Sequence, residues 1–273
     1  MYLFDYHVHT ARCGHALGED YQYVETAIRK GLREIGFSDH IPRFYRPDDP
    51  AQKVTERGMP RAELEGYVKS VLKLRDRYPE IAIKLGLEID YVPGREEQIE
   101  AVLGDYPWDY LLGSVHFIPE WNYGYIGYEK EHSPAEIYSA YFSLVARAAE
   151  SRLFDILGHI DLPRRFFPRL SEEEMRSLDR ELAARLGKTG VRVELNTYGV
   201  RSSRQGDVGI FPEQYLLRLL HQEGIGVTLG SDAHKPEEVG ADFERATQLL
   251  KTVGYDRITA FEKRKPKLIS WAE

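Results

Sequence analysis

Seven of the nine histidines follow short apolar runs, where a parallel β/α protein would end its strands. Two carboxylates stand in similar places, Glu88 in Gly-Leu-Glu-Ile and Asp232 in Gly-Ser-Asp-Ala-His. Imidazole and carboxylate are the ligands that borderline divalent metals accept. The sequence therefore predicts a metal centre whose ligands come from the whole chain. The histidines concerned are His7, His9, His15, His40, His116, His159 and His234.

The first two histidines give the sharpest local signal. His7 and His9 are two residues apart in an apolar strand, so both side chains point to one face. Buried imidazoles are costly unless they are bound or hydrogen-bonded. A satisfied core pair is the alternative, but the partners elsewhere favour metal ligation. Glu88 also needs a partner on its apolar strand, and a metal is favoured over an ion pair with an arginine such as Arg95.

Three other residues of metal-binding type are interpreted differently. His132 lies in a polar segment and is expected to be exposed. His221 lies near the end of a helix, where the helix dipole by itself favours a histidine. Cys13 lies between two candidate ligands, so ligation or nucleophilic attack is conceivable. A small loop residue is the favoured interpretation, since a reactive thiol needs cationic neighbours.

The chain repeats a pattern of apolar run, loop and amphipathic stretch, which is typical of strand–helix units around a parallel sheet. We expect strands over 3–7, 34–38, 81–91, 110–116, 156–159, 191–196 and 226–230. We expect helices over 19–30, 61–78, 96–103, 134–152, 171–186, 212–223 and 236–253. Segment 44–59 is expected to be a long loop, and 257–271 is ambiguous and could pair at a sheet edge. Seven units with ligands at both chain ends favour a closed barrel over an open sheet.

Length and composition indicate one globular domain over residues 1–273, with 42% hydrophobic and 30% charged residues. No apolar run approaches the ~20 residues that cross a bilayer, so no membrane association is expected. No basic region precedes the first strand, and we expect no signal peptide. The single cysteine cannot form an internal disulfide, which favours a cytoplasmic location.

The net charge of −7 disfavours a general surface for polyanions, and nucleic acid is not an expected partner. A small phosphate ester is still compatible, because a few arginines and metal ions can bind one. The sequence does not indicate an oligomeric state.

In combination, these motifs resemble the PHP (polymerase and histidinol phosphatase) family. The resemblance covers nearly the whole chain in the family's order, from His-Val-His-Thr through Asp-His, Gly-Leu-Glu, Ser-Val-His and Gly-His-Ile-Asp to Gly-Ser-Asp-Ala-His. Residues 162–166 and 194–201 are most similar to the histidinol-phosphate phosphatase branch.

The resemblance implies an α/β fold, a distorted seven-stranded TIM-like (β/α)7 barrel of the PHP type. It also implies three divalent metal ions, which could be Zn, Fe or Mn. One ion would bind His7, His9, Glu88 and Asp232; a second would share Glu88 and add His116 and His159; a third would bind His15, His40 and His234. Glu88, Asp232 and His234 are also expected to act in catalysis, Glu88 by bridging two ions and Asp232 as a possible proton relay.

A phosphate ester bound at such ions would keep negative charge, which arginine neutralises well because its planar fork suits two oxygens. The candidates are Arg201 and one of the pair Arg164 and Arg165, whereas Arg204 is disfavoured. Aromatic residues in segment 121–128 and at Phe44–Tyr45 could form walls for an imidazole-bearing amine, although aromatic residues more often serve packing alone.

The leading hypothesis is a metal-dependent phosphatase that converts L-histidinol phosphate to L-histidinol and phosphate in histidine biosynthesis. A second hypothesis keeps the metal centre and changes the ester to a nucleotide, a sugar phosphate or a phosphotyrosine peptide. An amidohydrolase is a third, because that class also begins with His-x-His, but His15 and His40 would then be surplus. A non-enzymatic metal-binding module is disfavoured by the number of buried ligands.

Overall fold

The computed structural model describes residues 1–41, 58–121, 125–202 and 208–270. The strands are β1 (Phe4–Val8), β2 (Glu34–Phe37), β3 (Ala82–Leu85), β4 (Glu88–Asp90), β5 (Leu112–Ser114), β6 (Ile156–Leu157), β7 (Arg192–Asn196), β8 (Val227–Gly230), β9 (Arg257–Glu262) and β10 (Lys265–Ser270). The helices are α1 (Asp20–Arg29), α2 (Leu64–Arg77), α3 (Glu96–Leu103), α4 (Pro134–Ser151), α5 (Glu172–Leu186), α6 (Tyr198–Arg201), α7 (Gln214–Gln222) and α8 (Phe243–Val253). Most of the expected loop 44–59, together with Phe44, Tyr45 and Arg204, lies outside the described residues.

The strands form two parallel sheets and one hairpin, which confirms the α/β class. The first sheet has the order β1-β2-β3, and the second has the order β4-β5-β6-β7-β8. Backbone hydrogen bonds link the sheets at both of their junctions. The amide of His9 donates to the carbonyl of Ala233 at 3.0 Å, and the amide of Glu88 donates to that of Asp39 at 3.0 Å. The two sheets therefore bring strand ends from both halves of the chain together.

The expected strand 81–91 is wrong in one respect, because it is split into β3 and β4. With this split, eight parallel strands are described instead of the seven expected. The break falls at Gly86, against which the ring of Tyr110 packs. The Tyr110 hydroxyl donates to the carbonyl of Tyr6 at 2.7 Å and also reaches that of Phe37 at 3.2 Å. The chain therefore pairs with β2 before the break and with β5 after it.

Most helix positions agree with the sequence pattern, and the differences lie at helix starts. The predicted capping box Ser171–Glu174 is present at the start of α5, and Ser133 caps α4 in the same way. The last predicted helix begins later than expected. Pro236–Glu238 forms a separate 3-10 turn, and α8 begins only after Asp242, which is in the left-handed region at φ 61°. The short helix α6 was not expected at all.

The ambiguous tail forms an antiparallel hairpin, β9–β10, in which Arg257 pairs with Ser270 and Glu262 with Lys265. Its inner strand buries Ile258, Ala260 and Phe261 against the core. None of the helices in the described parts of the chain is long and apolar enough to cross a membrane.

Replacing Gly86 with Ala tests the strand break. A Cβ at this position would lie 2.4 Å from Cζ of Tyr110, so the ring or the backbone must shift. We expect the free energy of unfolding in urea to fall by about 1–3 kcal/mol. Gly66→Ala in α2 is the matched control, because a Cβ there meets nothing within 4 Å. The control should gain about 0.5–1 kcal/mol. Equal effects of the two substitutions would contradict this account of the break.

Candidate metal centre

The nine predicted ligands lie together, because all of them except His15 lie on or just after a strand whose carboxyl end points to one edge of the sheets. His7 is on β1 and His9 follows it, whereas Glu88 begins β4. His116 and His159 each stand two residues beyond the ends of β5 and β6. The remaining ligands follow other elements: His40 comes after β2, His15 after a 3-10 turn, and Asp232 and His234 after β8.

Glu88 is the centre of the cluster and is 1% exposed. Its carboxylate accepts a hydrogen bond from Ser114 Oγ at 2.6 Å. Five imidazole nitrogens surround its two oxygens: His40 Nδ1 at 2.6 Å, His159 Nε2 at 3.2 Å, His7 Nε2 at 3.5 Å, His9 Nε2 at 3.6 Å and His116 Nε2 at 3.6 Å. One carboxylate thus faces five imidazoles from four separate strands, β1, β2, β5 and β6.

Asp232 faces the same space from the opposite end of the sequence. Its Oδ1 lies 3.3 Å from His9 Nε2 and 3.7 Å from His7 Nε2. Its backbone is in the left-handed region at φ 54°, and that of His159 is at φ 25°. Residues other than glycine adopt such angles at a cost, and they cluster where function requires a fixed side-chain direction.

A second group of imidazoles lies on the outer side of His9. The Nε2 atoms of His15 and His234 are 2.9 Å apart. One ligand atom each from His9, His40 and His234 lies within 4.8 Å of the others. Nitrogens so close together repel unless a proton or a cation lies between them, so this group is also suited to a metal ion.

Four of the histidines have their Nδ1 atoms engaged by other groups, which leaves Nε2 to point inward. His7 Nδ1 lies 2.6 Å from Glu194 Oε1, and His116 Nδ1 lies 2.7 Å from Asp90 Oδ1. In the other two, the Nδ1 atoms of His15 and His234 lie 3.1 Å from the Cys13 carbonyl and 3.0 Å from the Asp232 carbonyl. Metal-binding histidines are typically oriented by such contacts.

Sequence reasoning did not assign roles to Glu194 or Asp90, although both are buried beside the cluster. Glu194 approaches His7 and also accepts a hydrogen bond from the amide of His159 at 3.0 Å. The signal was present in both cases. Glu194 is an acid within an apolar strand, as Glu88 is, and Asp90 lies two residues from Glu88 and so on the same strand face.

The charges of the cluster keep its acids ionised. Burial opposes ionisation of Glu88, but His40 and His7 outweigh it and hold its pKa well below the ordinary value. The same balance, with His7 and His9, holds the pKa of Asp232 well below its ordinary value. Burial and the neighbouring His9 hold the pKa of His234 well below its ordinary value, so His234 is a neutral imidazole, the form that binds metals.

The donor set fits divalent metal ions, and the buried nitrogens show why. His7 Nε2 and both ring nitrogens of His9 are buried without a hydrogen-bond partner among the described residues. Leaving such atoms unpaired is expensive in free energy. A cation among His7, His9, Glu88 and Asp232 would bind the lone pairs of these buried nitrogens.

The cavity beside the cluster is small, about 150 Å³, and is partly open to solvent. Besides the cluster it is lined by Tyr125, Tyr128, Arg165, Phe166 and Tyr198. Arg165 lies over the rings of Tyr198 and Phe166, with its guanidinium carbon 4.7 and 5.0 Å from their centroids. Two aromatic residues from the predicted segment 121–128 thus do line the site.

The other two predicted arginines do not line this cavity. Arg164 donates to Asp161 Oδ2 at 2.9 Å and to the carbonyl of Val208 at 2.7 Å. Arg201 donates to the carbonyl of Ser231, the residue that precedes Asp232, and lies 3.8 Å from Asp242. Of the three candidates, Arg165 alone reaches the cavity wall.

Of the three residues that the sequence did not assign to the metal centre, His132 and His221 lie outside the cluster and Cys13 lies beside it. His132 stacks on Trp121 with ring centroids 3.7 Å apart, and it is partly buried rather than exposed as expected. His221 packs against the ring of Tyr255. Cys13 is buried next to the cluster, and burial together with Asp39 raises its pKa above the ordinary value, so it is not an activated thiol.

Replacing Glu194 with Gln tests whether this acid orients two of the histidines. We expect metal content and turnover to fall together by about 10- to 100-fold, because outer contacts of this kind fix ligand direction. Elemental analysis and an activity assay on the same preparation would measure both. Glu100→Gln on the exposed side of α3 is the control and should change neither. Full metal content in Glu194→Gln would contradict the assigned role.

Comparison with known proteins places this geometry in a family. The model of the PHP domain matches residues 5–198. A protein of Deinococcus radiodurans named "Probable histidinol-phosphatase" is 35% identical over 96% of this chain and 98% of its own length. The protein of Bacillus subtilis named "Histidinol-phosphatase" is 32% identical over 88% of this chain and 96% of its own length.

A solved structure shares the fold. Histidinol phosphate phosphatase of Lactococcus lactis, complexed with Zn, L-histidinol and phosphate, superimposes with a TM-score of 0.79 at 21% identity, covering 97% of this chain and 98% of that one. The family model and the two sequence relatives, together with the cluster of histidines and acids, agree on one assignment. The chain belongs to the PHP domain family.

Proposed function

We propose that the protein hydrolyses L-histidinol phosphate to L-histidinol and phosphate, as a phosphomonoesterase of histidine biosynthesis in the cytoplasm. The observation that carries the proposal is the cluster around Glu88, in which five imidazole nitrogens lie within 3.6 Å of one buried carboxylate. The relatives that are 35% and 32% identical carry histidinol-phosphatase names, and they align over most of the chain.

The proposal includes one domain over residues 1–273 with a distorted barrel of seven units. Its support is the pair of junctions between the two sheets, at Val8 with Ala233 and at His40 with Glu88. Counting the interrupted β3 and β4 as one unit reduces the eight parallel strands to seven. The PHP-type structural neighbour supports the same architecture.

The proposed centre holds three divalent ions, Zn, Fe or Mn, with the ligand sets described from the family resemblance. His7 Nδ1 contacts Glu194, and the Nε2 atoms of His7 and His9 have no hydrogen-bond partner among the described residues. Both observations support ligation through the inward Nε2 nitrogens. When bound, the ions would neutralise the phosphoryl oxygens and lower the pKa of an attacking water. His234 lines the cavity as a neutral imidazole and would bind a metal ion beside the reacting group.

The chain's own residues supply orientation and proton transfer. Glu88 lies between the histidines of both sides of the site and would fix the spacing of the ligands. Asp232 lines the cavity as a carboxylate and would accept a proton from the attacking water. Arg165 would neutralise the outer phosphate charge, because its guanidinium is held over two rings at the cavity wall.

The small cavity favours a compact ester over a polymer. A ring-bearing amine would lie against Tyr125, Tyr128 and Phe166, which form the apolar side of the wall. Another small phosphate ester is the second candidate, because several relatives at 21–25% identity are named only "Probable phosphatase". No comparable observation favours an amidohydrolase.

A substrate panel tests the proposal directly. Purified protein would be assayed with histidinol phosphate, sugar phosphates, mononucleotides and simple amides. We expect kcat/KM for histidinol phosphate to exceed that for the other esters by about 100-fold or more, since a fitted site rejects analogues that leave its polar groups unpaired. A chelator should abolish the activity, and added divalent metal should restore it. Faster turnover of another ester would sink the substrate assignment, and hydrolysis of amides alone would sink the phosphatase assignment.

Arg165→Gln tests the phosphate contact. Removing a guanidinium that binds mainly the charged group should raise KM by about 10- to 100-fold with a smaller change in kcat. Arg176→Gln is the control, because Arg176 is exposed on α5 and pairs with Glu172. Arg201→Ala should raise KM less than Arg165→Gln does, because Arg201 donates to the carbonyl of Ser231 and does not line the cavity. An unchanged KM in Arg165→Gln would remove Arg165 from the site.

A further inference from the structure

A second cavity lies at the opposite end of the sheets from the metal centre. Its volume is about 150 Å³, and three arginines from distant parts of the chain line it: Arg152, Arg192 and Arg264. Arg152 follows α4, Arg192 begins β7, and Arg264 is in the turn between β9 and β10. Phe154 and Phe261 form part of its apolar wall.

The charges around this cavity do not balance. Asp155 is the only carboxylate among the described residues that line it. It pairs with Arg264, whose Nε donates to Asp155 Oδ2 at 2.8 Å. Three guanidinium groups against one carboxylate leave two positive charges on the cavity wall. Arg152 and Arg264 are exposed, but Arg192 is partly buried. A charge that is partly removed from water is normally paired, so the excess at Arg192 favours a bound anion.

Arg192 shows the imbalance most clearly. Its side chain is partly buried and packs over Gly226, where an added Cβ would lie 2.9 Å from Arg192 Cδ. It donates to the carbonyl of Gly190, and no ion pair joins it to a carboxylate in the described parts of the chain. Burial alone lowers its pKa, with no acid to offset the effect.

The backbone around the cavity is also held in costly conformations. Of the six non-glycine residues with positive φ in the described chain, two belong to the metal centre and three stand here: Arg152 at 59°, Lys263 at 49° and Arg264 at 61°. Glycine or asparagine is usual at a helix end like that of Arg152 and in a two-residue hairpin turn like that of Lys263 and Arg264. Cationic residues in these places adopt a strained backbone conformation, which fixes the direction of their side chains.

We propose that this cavity binds a small phosphate-type dianion, either inorganic phosphate or the phosphate group of a small monoester. Two excess positive charges match a dianion, and planar guanidinium groups pair with two phosphate oxygens at once. The volume suits an ion of this size and excludes a nucleic-acid strand. The assignment does not depend on the reaction at the metal centre.

The site is also placed to communicate with the metal centre. Arg192 and Glu194 are two residues apart on β7, so their side chains share one face of the strand. Glu194 contacts His7 and the amide of His159. An anion bound at Arg192 would therefore contact the strand that carries Glu194, which orients two of the proposed ligands.

Titration of the metal-loaded protein with phosphate, monitored by isothermal titration calorimetry, tests the proposal. Wild type should bind one more phosphate per chain than R152G and R192Q do, or bind that phosphate at least tenfold more tightly. R152G removes a cation at a position where the backbone favours glycine, so its melting temperature should not fall. R185Q is the control for charge removal, because Arg185 already pairs with Glu150, and it should match wild type.

Competition identifies the ligand. Methylphosphonate, a phosphate-ester mimic without a scissile ester bond, and inorganic phosphate should compete for this extra site, and their relative affinities distinguish the two sources. Acetate should compete at least tenfold less well. Equal stoichiometry and affinity in wild type, R152G and R192Q would overturn the proposal. Equal competition by acetate would overturn the assignment to a phosphate-type dianion.

Discussion

The structure depends on one electrostatic constraint, which is that carboxylates without access to water need positive charge close by. Glu88 is 1% exposed and ionised, and five histidines from four strands surround it. Neither partner set is stable alone in an apolar interior, since buried acids and buried imidazoles each cost free energy when unpaired. Together, and with the proposed divalent cations, they would form a centre in which the charges offset one another. The sheets are arranged so that these residues can meet.

The rest of the fold provides rigid support for that meeting. Backbone hydrogen bonds tie the first sheet to the second at both junctions, beside His9 and Glu88. The Tyr110 ring occupies the space left by Gly36 and Gly86, and this close packing lets one length of chain change its pairing partner between β3 and β4. Glu194 contacts Nδ1 of His7 and Asp90 contacts Nδ1 of His116, and these contacts orient the two imidazoles. Strain in the backbone of Asp232 and His159 persists because the surrounding contacts determine their positions.

The same reasoning connects the two ends of the protein. At one end acids are in contact with an excess of imidazoles, and at the other three arginines face one acid. In both places residues other than glycine adopt left-handed backbone angles. β7 runs between the two regions, with Arg192 at its start and Glu194 and Asn196 toward the metal centre. Clustered charge and strained backbone angles thus occur together in the regions at both ends of β7.

The sequence by itself determined the fold class, the family and the identity of the clustered histidines and acids, because alternating apolar runs and ligand types are local patterns. It also predicted the capping box at Ser171 from residue types alone. The tertiary structure decided the strand break at Gly86, the orienting roles of Glu194 and Asp90, and which arginine reaches the cavity. Arg164, Arg165 and Arg201 look alike in sequence, and only the positions of Asp161, Tyr198 and Ser231 separate them. These outcomes depend on contacts between residues far apart in the chain, which no local pattern records.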